Sequence, residues 1–387
     1  MKMFFIYVAG WVVSISSYML TPNTPSQMYT MSGPSGPPSS PPAFYVDIPK
    51  INPRWYVVEQ SNQVKTNVPQ KVTIYNSPVA IWKDTDKQYA AISDVCPHRG
   101  ASLSYGRIDK PIGCVVCPYH TFKYDKCGRL VQTPGASTMR ANDNYNFKTD
   151  VPHYPIVEKN GWIYLLNRPL YTIGELKYYN DPSTIWVEPE ATDESFKCVM
   201  LSKIFNQDAR TVTENSLDIL HISEVHSFGN KRRPLPISEK LEKIADGHYK
   251  YIYQYEAGED SMPSKLFGIK TLTVENEYIL PHTTVARVRF GEFVNTVVTT
   301  ASPVSHNTSR LFVKAYRNNW VFNNPLIDGV FDKITTDMME KTLCEDKGVV
   351  DTIYAKFRDG NFITKYDELV RLYREDYASY VDNQSTI

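Results

Sequence analysis

The chain has 387 residues, a length that allows two or three domains. Its 42 Lys and Arg residues balance 42 Asp and Glu residues, and this zero net charge argues against nucleic-acid binding, which normally needs a basic excess. Hydrophobic residues make up 42% and charged residues 22%, which excludes wholesale disorder and a polytopic membrane protein, and the six cysteines are too scattered for a disulfide scaffold.

The chain begins with an uncharged apolar run, Met3–Leu20, that follows Lys2. This run is at the lower end of the length that spans a bilayer, and it lacks a good small-residue cleavage site. Three interpretations stay open: a membrane anchor through residues 3–20, a targeting leader, or a segment that is not translated because synthesis starts at Met28 or Met31.

Residues 21–46 contain seven Pro, many Ser and Gly, and no charged residue. Such a segment cannot bury enough apolar surface to offset the entropy of ordering it. We therefore expect a linker here, with folded structure starting near Asp47.

The next part of the chain, 47–170, is predicted to be a small antiparallel β domain. Short runs rich in β-branched and aromatic residues alternate with Gly, Pro, Asn and Asp. The predicted strands are 72–75, 79–82, 89–95 and 162–166.

From residue 185 to residue 387 the pattern changes to long strands and helices. A helical stretch is predicted near 208–224, strands at 249–256, 269–280, 283–291, 294–302 and 309–318, and further helices at 333–357 and 365–381. In the third of these strands, apolar residues alternate with Arg287 and Arg289, which indicates a sheet with one wet face. The pattern predicts an α+β fold: an N-terminal antiparallel β domain and a C-terminal, helix-grip-like domain with a large antiparallel sheet.

A first cluster of potential metal ligands lies in the N-terminal domain. The strings Cys96-Pro-His98 and Cys117-Pro-Tyr-His120 each offer one thiolate and one imidazole from a short loop. Thiolates and imidazoles suit zinc or an iron–sulfur cluster. Zinc sites usually use other spacings, whereas this one is typical of a [2Fe–2S] cluster in which two histidines replace two cysteines on one iron.

A second cluster includes His221 and His226. On a regular helix, side chains five residues apart point ~140° apart, so both rings can face one metal only if the helix ends or bulges between them. Two imidazoles and one carboxylate form the facial triad of non-haem Fe(II) oxygenases. Asp346 falls on the apolar stripe of the predicted helix 333–357, where an ionised carboxylate needs a partner or a metal. It is the predicted third ligand, and Glu345 is the alternative.

Around these motifs the sequence resembles the Rieske non-haem iron oxygenases of the α-subunit type, including the pheophorbide a oxygenase-like members. The resemblance is carried by CPHRGASLSYGRI, CPYHTFKYD, the pattern Asn-x2-Asp-x2-His-x4-His and Glu-Asp-Lys at 345–347. High-potential Rieske proteins brace the cluster with a disulfide and supply a hydroxyl to its sulfur. The corresponding positions here are Ala101, Tyr119 and Phe122, which favours the oxygenase branch.

The resemblance implies two cofactors, a [2Fe–2S] cluster on Cys96, His98, Cys117 and His120 and a mononuclear Fe(II), with O2 as co-substrate. It also implies a homotrimer in which Asp218 bridges His221 of its own chain and His120 of the partner subunit, and it places Asn215 as a polar residue near the iron. The chain shows no Gly-x-Gly-x2-Gly nucleotide loop after a strand, so we expect electrons from a separate NAD(P)H-dependent reductase or a ferredoxin.

The sequence leaves the substrate open: a pigment, a sterol or another hydrophobic aromatic compound. It also leaves open hydroxylation, dealkylation, desaturation or ring opening. A Rieske electron-transfer protein without oxygenase activity is the alternative function. Because cluster loading normally precedes export, we expect the metal domains to face the cytosol or an organelle interior.

Overall fold

The computed structural model describes residues 54–134, 149–170, 181–259, 264–265, 268–318, 321–322 and 324–382. The predicted leader at 1–20, the linker at 21–46 and the expected start of folding near Asp47 lie outside these residues. Among the described helices, none is both long enough and apolar enough to cross a membrane.

The N-terminal domain consists of small antiparallel sheets. Its described strands are β1 (Trp55–Gln60), β2 (Gln70–Ile74), β3 (Ser77–Lys83), β4 (Tyr89–Ser93), β5 (Arg107–Asp109), β6 (Cys114–Val116), β7 (Lys123–Tyr124), β8 (Leu130–Gln132), β9 (Ile156–Lys159) and β10 (Trp162–Leu166). They form sheets with the strand orders β1-β10-β9, β2-β3-β4 and β5-β6-β7-β8. The four strands predicted from the sequence correspond to β2, β3, β4 and β10.

Strand β3 separates two hydrophobic cores of this domain. Its side chains alternate between the two faces of the sheet, and both faces are covered. Ala80 and Trp82 pack in the core that also contains Cys96 and Cys117, while Ile81 packs in the core on the other side. Cys96 and Cys117 are therefore packed in the core that covers one face of this strand.

The C-terminal domain is built on one antiparallel sheet of seven strands, in the order β11-β17-β16-β15-β14-β13-β12. Its strands are β11 (Lys197–Phe205), β12 (Ser238–Ala245), β13 (His248–Glu256), β14 (Thr271–Ile279), β15 (Thr283–Phe290), β16 (Phe293–Ser305) and β17 (Thr308–Arg317). The last five were predicted from the sequence, whereas β11 and β12 were missed. Both missed strands lie at the edges of the sheet.

Four α-helices are described in this domain: α1 (Ala209–Leu217), α2 (His221–Val225), α3 (Pro325–Val350) and α4 (Glu368–Asp382). Across the whole described chain, short 3-10 turns are found at Ser61–Gln63, Leu103–Tyr105, Pro182–Thr184, Pro189–Thr192, Ala355–Phe357 and Lys365–Asp367. Helix α1 packs on β16 and β17, and α3 packs on β11. The α+β class is as predicted.

The helix boundaries differ from the prediction in two places. The stretch predicted as one helix near 208–224 is interrupted at Asp218, which takes an extended conformation after α1. The long helix begins at Pro325 rather than at 333, because the Asn324 side chain accepts hydrogen bonds from Leu326 N and Ile327 N and caps its first turn.

Candidate metal centres

The first predicted cluster, called here the first centre, consists of Cys96, His98, Cys117 and His120. Two loops of matching geometry carry it, one after β4 and one after β6. In each loop the cysteine carbonyl accepts a hydrogen bond from the residue four positions later, and the cysteine N–H donates to the residue five positions later. The turning residues, Gly100 and Thr121, both have positive φ.

The four side chains of the first centre divide into a buried pair and an outer pair. Cys96 and Cys117, which carry the two thiols, are each 1% exposed. The Nδ1 atoms of His98 and His120 lie 3.1 Å apart at the surface. Two buried sulfurs and two converging outer nitrogens fit a cluster whose thiolate-bound iron is inside and whose imidazole-bound iron is near solvent.

Aromatic side chains fix these ligands in place. The Tyr124 hydroxyl lies 3.4 Å from Cys96 Sγ, Phe122 stacks on His98, and Tyr119 lies against His120 with ring centroids 3.7 Å apart. Burial raises the pKa of the Cys96 thiol, while the Tyr124 hydrogen bond lowers it. All six cysteines of the chain lie in the described residues and are free, as expected for a centre without a disulfide brace.

The second predicted cluster, called here the second centre, consists of His221, His226 and Asp346. The interruption after α1 is what makes it possible. His221 is the first residue of the short helix α2, and His226 follows its end in an extended conformation. The two rings are 5.1 Å apart and inclined by 72°. The predicted helix end between the two histidines is therefore present.

The two imidazoles meet at one carboxylate. His221 Nε2 lies 3.4 Å from Asp346 Oδ1, and His226 Nε2 lies 3.5 Å from the same oxygen. Asp346 is on α3, and its residue is 9% exposed. One ligand atom from each of the three residues lies within 4.8 Å of the others. Two Nε2 atoms and one carboxylate oxygen facing a common point fit the donor set of a mononuclear Fe(II) site.

Neighbouring polar groups hold these three side chains. Asn215 Nδ2 donates to Asp346 Oδ1 at 3.2 Å, so the predicted polar residue contacts a ligand of the second centre. Glu345, the alternative third ligand, points elsewhere: its Oε2 lies 3.2 Å from His226 Nδ1, the ring nitrogen facing away from Asp346. Glu345 was not predicted in this orienting role.

Asp218 lies beside the second centre but does not hydrogen-bond His221. Its Oδ1 accepts from Leu220 N at 2.8 Å, and its Oδ2 is 3.8 Å from His221 Nδ1, beyond hydrogen-bond distance. The bond predicted within the chain is therefore absent from the structure, because the carboxylate closes the turn that starts α2. The Asp218 side chain is 38% exposed, so it remains accessible to another group.

The two histidines of the second centre have opposite pKa shifts. Burial of the His221 ring lowers its pKa, but hydrogen bonding to Asp346 and the charge of Asp218 outweigh burial, and the net pKa is raised. For His226, burial dominates and lowers the pKa. A metal ion binds the neutral imidazole, so a proton competes with it more strongly at His221.

A cavity of about 300 Å³ adjoins the second centre. His221, His226 and Asp346 line it together with residues of the sheet and of α3. The apolar sheet residues in this lining include Leu272, Val274, Ala286, Val288, Phe290 and Val297. This arrangement is that of a small-molecule site, an apolar cleft with a few polar groups.

Comparison with known proteins follows the same division into domains. The family described as the Rieske [2Fe-2S] domain matches residues 54–155, which contain all four residues of the first centre. The chain therefore carries a Rieske domain, as its cysteine and histidine spacing predicts.

Curated relatives match about half of the chain. Pheophorbide a oxygenase of Oryza sativa subsp. japonica is 29% identical over 193 residues, which are 49% of this chain and 36% of the relative. Aminopyrrolnitrin oxygenase of Pseudomonas fluorescens is 26% identical over 196 residues, 50% of this chain and 48% of the relative. The chain thus spans between a third and about half of the length of these relatives.

Solved structures match both domains. Dicamba monooxygenase bound to dicamba superimposes with a TM-score of 0.70 and 20% identity, covering 86% of this chain and 98% of the other. A caffeine-bound NdmA mutant from Pseudomonas putida gives a TM-score of 0.64 and 19% identity, over 84% and 94% of the two chains. These matches confirm the α+β fold. The Rieske domain and the curated relatives bear out the resemblance to Rieske non-haem iron oxygenases.

Proposed function

We propose that this chain, with a Rieske domain and the fold of dicamba monooxygenase, is a Rieske-type oxygenase that oxidises a hydrophobic organic substrate with O2. The observation that carries this proposal is the convergence of two imidazoles and one carboxylate at the wall of an apolar cavity. A pure electron carrier, the alternative function, has no use for such a site next to such a cavity.

The residues would hold two cofactors. Cys96, His98, Cys117 and His120 would bind a [2Fe–2S] cluster, and the second centre would bind Fe(II). When bound, the cluster stores one electron at a time and the Fe(II) supplies open positions at which O2 is reduced.

The chain's own residues position and isolate this chemistry. Asp346 and the two imidazoles would hold Fe(II) at the lining of the cavity. Asn215 fixes Asp346, and Glu345 fixes the His226 ring through its second nitrogen. Carboxylates bonded to ligand imidazoles orient them and raise their basicity. The apolar wall of the cavity excludes water from the substrate.

Electrons would enter through the outer edge of the first centre. His98 is exposed, and His120 is half-buried beside the exposed Tyr119. We propose a separate reductase or ferredoxin as the donor, and a homotrimer in which His120 of the partner subunit reaches Asp218. The partly exposed Asp218 carboxylate supports this, because Leu220 N engages one of its oxygens and leaves the other available.

Substrate and reaction mode are proposed at the level of class. The reaction is hydroxylation, dealkylation, desaturation or ring opening by a mono- or dioxygenase, and the substrate is a hydrophobic ring compound, pigment or sterol. Membrane attachment through residues 3–20, with the metal domains on the cytosolic or organelle-interior side, stays a prediction. The test is anaerobic reduction of the purified protein, then exposure to O2 with pigment, sterol and aromatic candidates. We expect a product whose mass shows oxidation; consumption of the stored electron without any oxidised product favours the electron carrier.

A further inference from the structure

We propose that the cavity beside the second centre takes a neutral compound of one or two rings that carries a hydroxyl or N–H group, and that Asn276 is the hydrogen-bond acceptor for that group. This inference rests on the proposed function and narrows its substrate class. It makes Asn276 a specificity-determining residue.

The Asn276 amide has a fixed orientation. The residue lies on β14, is 2% exposed and lines the cavity. Its Nδ2 donates to the carbonyl of Ser216 at 3.2 Å. Ser216 is in the last turn of α1, where carbonyl groups lack partners within the helix. A carbonyl accepts and cannot donate, so this bond assigns the amide nitrogen to α1 and leaves Oδ1 as the remaining acceptor.

Asn276 Oδ1 has no hydrogen-bond partner within the described part of the chain. A buried polar atom without a partner is unfavourable, and native proteins rarely leave one unless a ligand or water completes it. The helix residue next to Ser216 is Asn215, which bonds Asp346 of the second centre. A donor group bound by Asn276 would therefore lie beside that centre.

A second acceptor lies further along the same wall. Asn295, on β16, also lines the cavity, and its buried Oδ1 also has no partner among the described residues. In the sheet register, Asn276 pairs with Ala286, which pairs with Val297. Asn295 therefore lies two strands away from Asn276 and two residues along β16 from the position level with it. Apolar side chains separate the two acceptors.

The charges of the cavity favour a neutral ligand. Of the described residues that line it, Arg317 is the one permanent cation, and its guanidinium donates to Asp332 Oδ1 at 2.6 Å and to the carbonyl of Asp328. On the metal side, Asp218 and Asp346 would balance the two positive charges of a bound Fe(II). A carboxylate ligand would therefore find no net positive charge there to compensate its own.

The volume matches a ligand of about two rings. An engineered protein cavity of ~150 Å³ binds one benzene, and this cavity measures about 300 Å³. A naphthalene-sized compound therefore matches the space that the cavity encloses.

Three naphthalene derivatives of nearly equal size test the inference: 2-naphthol, neutral with a donor; 2-methoxynaphthalene, neutral without one; and 2-naphthoate, an anion. Their dissociation constants are measured by equilibrium dialysis against the purified, iron-loaded protein under argon, so that no turnover occurs. We expect 2-naphthol to bind about fivefold to tenfold more tightly than 2-methoxynaphthalene and 2-naphthoate to bind weakest.

The variant Asn276→Leu removes the acceptor at similar size, and it should reduce the naphthol-to-methoxynaphthalene preference to about one. The matched control is Asn307→Leu, the same substitution in the turn between β16 and β17 and outside the cavity lining, where the Asn307 side chain accepts a hydrogen bond from Arg358 at 3.0 Å; it should keep the preference. Both probes are compared on one preparation, so a reduced folded fraction does not change the ratio.

The wild-type protein alone can overturn the inference, even if Asn276→Leu fails to fold. Equal binding of the two neutral probes, or tightest binding of 2-naphthoate, contradicts it, as does a loss of preference in Asn307→Leu equal to that in Asn276→Leu. The binding test and the test of the proposed function can fail separately. If the protein discriminates the probes but forms no oxidised product, the inference about Asn276 stands and the proposed function fails. If it oxidises substrates without discriminating the probes, the proposed function stands and the inference fails.

Discussion

His226 is held between two carboxylates of consecutive residues: its Nε2 lies 3.5 Å from Asp346 Oδ1 and its Nδ1 lies 3.2 Å from Glu345 Oε2. The first carboxylate shares the proposed metal position with the ring, and the second holds the ring from behind. One turn of α3 thus supplies both a ligand and an orienting group.

The orienting role of Glu345 predicts a loss of metal affinity without a loss of fold. Glu345→Gln keeps the shape but removes the charge that makes the His226 ring more basic, and such changes typically cost about 10- to 100-fold in affinity. Fe(II) titration of the metal-free second centre measures it. The control is Glu340→Gln on the same helix, whose partner is Lys203. An unchanged affinity in Glu345→Gln would remove the orienting role.

Replacing the proposed third ligand should empty the second centre and spare the first. Asp346→Ala removes the carboxylate on which both Nε2 atoms converge, so the protein should lose about one iron per chain while its [2Fe–2S] absorbance is retained. Asp337→Ala, an exposed residue of α3 paired with Lys333, is the control. Iron content equal to that of wild type would assign the metal to another acid.

The bridging role of Asp218 predicts a defect in electron transfer alone. Asp218→Asn keeps an oxygen for the N–H of Leu220 but removes the charge that would attract His120 of the partner subunit. We expect full iron and sulfide content with most of the turnover lost, because the proposed bridge between the two centres would be broken. Turnover and iron are measured on the same sample, and unchanged turnover contradicts the bridge.

The Tyr124 hydroxyl should tune the reduction potential of the first centre. It lies 3.4 Å from Cys96 Sγ, and a donor to a ligand sulfur stabilises the reduced, more negative cluster. Removing one hydrogen bond worth about 1 kcal/mol corresponds to a drop of roughly 40 mV for a one-electron couple. Redox titration of Tyr124→Phe followed by electron paramagnetic resonance tests this, and a potential that stays the same or rises is incompatible with the contact.

His282 should make the protein sensitive to acid. Its ring is 2% exposed, and burial lowers its pKa to about 3. The unfolded chain, with a pKa near 6.5, then binds the proton more tightly than the folded one, so stability is present above pH 6.5 and falls as the pH decreases towards 3. Between pH 7 and pH 5, protonation of this one group lowers the free energy of unfolding by about 2 kcal/mol.

Denaturant unfolding at the two pH values measures this effect. The side chain in His282→Gln cannot take up a proton in this pH interval. The free energy of unfolding of this variant should therefore fall by about 2 kcal/mol less than that of wild type. The exposed His306 provides the control variant His306→Gln, which should retain the wild-type pH dependence. Identical pH dependence in all three proteins would show that His282 does not contribute.

The sequence allowed the ligand sets to be predicted because they depend on local spacing and helical periodicity. Cys96 to His98 and Cys117 to His120 lie within single loops, and Asp346 was found from the apolar stripe of its helix. Strand β12 (Ser238–Ala245) was missed because its charged, mostly exposed sequence lies at the sheet edge, where burial imposes little alternation.

The groups around the ligands could not be predicted because they depend on contacts between distant parts of the chain. Glu345 contacts His226 at a sequence separation of 119 residues, and Asn276 contacts Ser216 at a separation of 60. The apolar stripe of the helix distinguishes Asp346 from its neighbour Glu345, but it does not show what Glu345 contacts. The bond from Glu345 to the His226 ring depends on how α3 packs against α2.

The most direct test of two separate iron sites in one chain is the ratio of iron to acid-labile sulfide in the purified protein. We predict about three irons and two sulfides per chain, with two irons in the first centre and one in the second. Two irons and two sulfides, after Fe(II) has been offered anaerobically, would contradict the account and leave a Rieske electron carrier.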